Sequence, residues 1–143
     1  MQVEISSVRP ERIMELKDEG NKAFGRADYG GAVAKYRDGL GLAERYGKDT
    51  EGSLPYKMEI GKSPDLEDGA MYLQDFSRLK AVLLNNLASC MFYQDMLDQA
   101  DQFNDMALME DPDYGKVHYR KCTILEKRGQ YSRAMDLAKH SAE

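Results

Sequence analysis

Three short stretches of this chain carry side chains that bind anions. They are Lys17-Asp-Glu-Gly20-Asn21, Asn85-Asn86-Leu87-Ala88 and Lys116-Val-His-Tyr-Arg120. Ammonium, guanidinium and amide N–H groups are donors, and their bonds to carboxylate oxygens are short and charge-assisted. A ligand carboxylate would engage several of them at once. Lys17 and Asn21 are spaced i,i+4, and so are Lys116 and Arg120. On a helix each pair shares one face. These groups act together only if one scaffold sets three helices side by side.

The chain contains such a scaffold, because it repeats. Ala100 and Ala134 lie 34 residues apart, as do Leu97 and Tyr131, and Ala88 and Cys122. Gly20, Tyr29 and Ala32 hold the matching places 68 residues before Ala88, Leu97 and Ala100. A helical 34-residue period belongs to stacked antiparallel helix pairs. Small residues at Gly20, Ala88 and Cys122, and at Ala32, Ala100 and Ala134, let paired helices approach closely. Phe24 and Phe92 fill the space beside them. Gly25-Arg-Ala-Asp-Tyr29 and Arg128-Gly-Gln-Tyr131 read as turns, and Asp111-Pro112 ends a helix cleanly. The pattern predicts helices over 10–25, 29–46, 75–94, 97–110, 114–127 and 131–141.

Over about 100 of the 143 residues the chain resembles the tetratricopeptide-repeat (TPR) family. The resemblance implies an all-α fold, a right-handed superhelix of three TPR helix-turn-helix pairs with a concave inner face. The repeats would span about 13–46, 75–112 and 113–143, after a tail or linker at 1–9. The large-residue place of the first helix in each pair holds Leu16, Leu84 and His118, and His118 is expected to pack in the core. The set Lys17, Asn21, Asn86, Lys116 and Arg120 matches, type for type, the carboxylate clamp of co-chaperone TPR domains. That match implies a partner: the acidic Glu-Glu-Val-Asp tail of heat-shock protein 90 (Hsp90), or of heat-shock protein 70 (Hsp70). Phe24 is either an apolar wall of the peptide groove or core. Asn85 adjoins the site, and the phase of Leu87-Ala88 favours Asn86 as the clamp amide.

Composition narrows the alternatives. A net charge of −5 argues against a general nucleic-acid binder. No apolar run approaches the roughly 18 residues of a membrane span. Cys90 and Cys122 lie far apart, outside any CxxC pair, and His118 and His140 complete no zinc spacing. Two reduced cysteines fit a cytoplasmic protein. Neither a nucleophile triad nor a phosphate loop is present, so no enzyme activity, metal or cofactor is expected. Met91, Met96, Met106 and Met109 follow helical spacing and read as packing. Other readings stay open: the TPR part of a larger enzyme such as a prolyl isomerase or phosphatase, or a TPR scaffold for a different peptide.

The segment 47–74 breaks the pattern with Gly47, Gly52, Pro55, Gly61, Pro64 and Gly69. It reads as a long inserted loop between repeats 1 and 2. Pro55 and Pro64 fall where the helices of a hidden repeat would run. At the other end no capping helix follows repeat 3 before Glu143. The last repeat is therefore expected to expose an apolar edge at Met135, Leu137 and Ala138.

Overall fold

The computed structural model describes residues 7–50, 53–59 and 72–129. Helix α1 spans Pro10–Gly25. Pro10 stands where a helix has no partner for an N–H, so its missing donor costs nothing. Glu11 in the first turn and Lys22 in the last oppose the helix dipole. Ile13, Leu16, Gly20 and Ala23 make its buried stripe. Helix α2, Tyr29–Thr50, starts behind Asp28, whose carboxylate accepts the Gly31 N–H at 2.9 Å. The two helices run antiparallel: Gly20 faces the Tyr36 ring, and Gly39 faces Leu16 and Ile13. A Cβ at Gly20 would land inside the Tyr36 ring's van der Waals shell, so only glycine permits this approach. Lys35 reaches back from α2 to Glu19 at 3.0 Å. That hydrogen bond, outweighing the little burial there, holds the Glu19 carboxyl below its ordinary range.

Helices α3 (Phe76–Tyr93), α4 (Leu97–Glu110) and α5 (Gly115–Lys127) follow. Each helix packs on the next, and α5 also touches α3. The turns repeat as the residues do. Ala27, Asp95 and Gly129 all adopt positive φ, at 59°, 63° and 71°. They lie 68 and 34 residues apart, the same intervals found in the sequence. In the first two turns a six-to-one hydrogen bond closes the helix: Asp28 N–H to Ala23 C=O, and Met96 N–H to Met91 C=O. A non-glycine residue in the left-handed region is uncommon, so two at matched positions mark one turn design used twice.

Helix α3 is the centre of the molecule. Every residue from 81 to 91, Ala-Val-Leu-Leu-Asn-Asn-Leu-Ala-Ser-Cys-Met, is buried. A helix apolar on nearly all sides is stable only when surrounded. It anchors the main core with Ile13, Tyr36, Ala43, Tyr46, Ala107 and Val117.

The helical class is as expected, and the described bounds of α1, α3, α4 and α5 fall within a residue of those predicted. The segment 47–74 differs. Helix α2 runs on to Thr50, and two short strands, β1 (Ser53–Glu59) and β2 (Tyr72–Asp75), pair antiparallel. Leu54, Tyr56 and Met58 alternate with other residues, a period of two that the prolines and glycines obscured. Pro55 falls within an irregularity between the Ser53 and Met58 pairings, where a lost N–H is tolerated. The expected helix over 131–141, the missing cap and the apolar edge at Met135, Leu137 and Ala138 lie outside the described residues. No described helix is long and apolar enough to cross a membrane.

Candidate functional site

All five clamp candidates lie on α1, α3 and α5, the first helices of successive pairs. Lys17 is only 2% exposed. Among the described residues its one ionic partner is the exposed Asp18, at 3.4 Å. Asn21, a turn further on, is half-buried, and its Oδ1 accepts the Tyr36 hydroxyl. With its acceptor used inside the fold, Asn21 offers a ligand its N–H donors.

Asn86 is wholly buried on α3. Neither its Oδ1 nor its Nδ2 has a hydrogen-bond partner among the described residues. An unmet amide in such a place costs roughly 1–3 kcal/mol. Asn85 is equally buried, and its main-chain carbonyl accepts the Ser89 hydroxyl at 3.1 Å. The Asn85 side-chain Oδ1, like both polar atoms of the Asn86 amide, has no hydrogen-bond partner among the described residues.

On α5, Lys116 is half-buried and Arg120 is 2% exposed. The Arg120 guanidinium sits over the Phe92 ring of α3, 5.4 Å from its centroid, a cation–π contact that also orients its planar donors. Phe24 is half-buried and meets Tyr29 and Tyr93 edge-on at 5.2 and 5.6 Å, while Tyr29 and Tyr93 stack at 5.9 Å. Phe24 is thus part of an aromatic cluster that joins the first two turns. Sequence reasoning missed the Tyr93 member, which no motif marks.

The buried polar residues of the described chain are Lys17, Asn85, Asn86, Ser89, Asn104 and Arg120. Two are cations and none is a carboxylate. Buried positive charge is unfavourable unless an opposite charge stands near, and the Lys17 ammonium has the Asp18 carboxylate at 3.4 Å.

Other residues hold α5 in place, and the sequence did not reveal them. Arg78, near the start of α3, forms an ion pair with Asp111 and stacks on Tyr114, 4.8 Å from its centroid. Lys80 pairs with Glu110 at 3.0 Å. At the far end, Lys127 donates to the Phe92 carbonyl at 3.0 Å, which also accepts the Asp95 N–H at the end of α3. Two packing expectations fail on α5. His118 is exposed, its Nε2–H donating to the Pro112 carbonyl at 2.8 Å, and Cys122 is exposed as well. Among the described residues neither has a surface to pack on. Neither the models of known protein families nor the curated proteins yield a match to this chain.

Proposed function

We propose that this chain is a non-catalytic peptide-binding module of the TPR carboxylate-clamp kind, which grips the terminal carboxylates of an acidic Glu-Glu-Val-Asp tail. The partner in this reading is cytosolic Hsp90, or Hsp70, and the module acts as a co-chaperone adaptor. The observation that carries it is that Lys17, Asn86 and Arg120, on α1, α3 and α5, are all buried, and that the Asn86 amide is unmet among the described residues. The 34-residue spacing of left-handed turn residues supports the superhelical arrangement that the reading requires.

Each clamp member has a distinct role. Lys17 and Lys116 supply point charges, and Arg120 supplies a planar fork that its stack on Phe92 preorganises. Asn86 and Asn21 add neutral donors that fix the oxygen positions. Since Lys17 and Asn86 are covered, a ligand has to part the site before reaching them. The observed association rate should therefore level off at high peptide concentration.

Titration of a labelled Met-Glu-Glu-Val-Asp peptide tests the reading. Binding should weaken with salt and be lost when the terminal carboxylate is amidated. Arg120→Ala should weaken it by about 2 kcal/mol. Equal affinity for the amidated peptide ends the clamp reading.

A further inference from the structure

Helix α5 is held to α4 by charge as well as by apolar contact. Along its length Val117, Arg120 and Ile124 are buried. Its apolar footing is a small cluster, Ile124 with Met91 and Ala100, plus Val117 against the main core. Against α4 it lays a stripe of charge. Asp98, Asp101 and Asp105 share one face of α4, spaced i, i+3 and i+7. Lys121 and Arg128, seven residues apart, face them from α5 and its C-cap. Lys121 reaches Asp101 at 2.6 Å and Asp105 at 3.3 Å. Arg128 reaches Asp98 at 2.9 Å and Asp101 at 3.3 Å. The register is antiparallel, and Asp101 is the node, bonded to both cations.

The node is also the most enclosed of the three acids. The Asp101 side chain is 20% exposed, against 78% for Asp98 and 57% for Asp105. Burial alone would lower the Lys121 ammonium, but the hydrogen bond and charge of Asp101, with those of Asp105, outweigh it and hold the group above its ordinary range. An isolated exposed ion pair adds little, whereas a shared, half-enclosed network of several charges is worth more.

We infer that Asp101 is a positioning residue: through Lys121 and Arg128 it sets the pose of α5, and so the placement of Lys116 and Arg120 at the anion site. This rests on the function proposed above, since it concerns the aim of two of the clamp cations. Asp101 itself stands on α4, outside the five clamp residues.

The full chain carrying Asp101→Asn, Asp101→Glu or Lys121→Met tests this by two readouts. The first is backbone hydrogen exchange, compared between α5 and α1–α3. The second is affinity for the Met-Glu-Glu-Val-Asp peptide and its amidated form. In Asp101→Asn the α5 amides should exchange about tenfold faster, with α1–α3 unchanged. Affinity for the free-acid peptide should fall by a similar factor. Lys121→Met should give the same pattern more weakly, and Asp101→Glu should restore most of both. Unchanged exchange in α5 overturns the positioning role. Faster α5 exchange with unchanged peptide affinity overturns the link to the site. A wild-type chain that binds both peptides alike overturns the clamp reading, and this inference with it; that result needs no variant and so separates the two failures.

Discussion

Helices α3 and α5 both carry members of the proposed anion site, yet they are held by different forces. Helix α3 is buried on every side from Ala81 to Met91. Helix α5 buries three side chains and is fastened by Arg78–Asp111 ahead of it, Lys127 at its end and the Asp101 network along its length. Apolar burial is insensitive to salt and pH, while half-exposed ion pairs respond to both. In the proposed site α3 would therefore serve as the floor, and α5 as the wall that responds to salt and pH.

The largest effect should come from the floor. Leu87→Ala removes a fully buried side chain and should cost about 3 kcal/mol of global stability in urea unfolding. Ile124→Ala, on α5, should cost less in the global transition and appear first as faster exchange confined to α5. If both substitutions lower the same single transition equally, the two helices form one cooperative unit and the contrast is broken.

Next comes the buried charge on α1. Lys17→Met replaces a buried cation by an apolar chain of similar length. It should leave folding unchanged or raise stability by about 1 kcal/mol, while peptide affinity falls by about 2 kcal/mol. A variant that loses stability instead would show that Lys17 is a structural cation, already matched within the fold.

The smallest effect concerns pH. Lys121 is held above its ordinary range in the folded chain. Its contribution is complete below the unfolded lysine pKa, about 10.4, and is lost as pH rises through the folded value. In alkaline titration followed by helical circular dichroism, a minor loss from α5 should precede the global transition. The Lys121→Met variant should lack that early step. An early step that persists in the variant assigns it elsewhere.

Much of this was legible in the residues. Pro10, Asp111-Pro112 and the recurrence of Gly20, Ala88, Ala32 and Ala100 set the helix ends and the close approaches, because those features act within a few residues along the chain. The alternation at Leu54, Tyr56 and Met58 was hidden by Pro55 and the surrounding glycines, so a paired ribbon read as loop. His118 and Cys122 read as packed from their repeat positions but are exposed, because a repeat position fixes the place on the helix and not what lies across from it. The ion-pair network was invisible, because an aspartate on α4 and a lysine on α5 carry no mark of their pairing until the two helices are laid side by side.

The sequence by itself determined the periodic helices, the places of the small residues and the chemical type of the five anion-site side chains, since period and residue chemistry are local properties. Tertiary structure alone decided that Lys17, Asn86 and Arg120 are covered, that the Asn86 amide is unmet among the described residues, and that α5 adds a network of ion pairs to a small apolar footing. Burial and pairing are properties of what lies across a helix interface, and the partners that create them here stand tens of residues away along the chain.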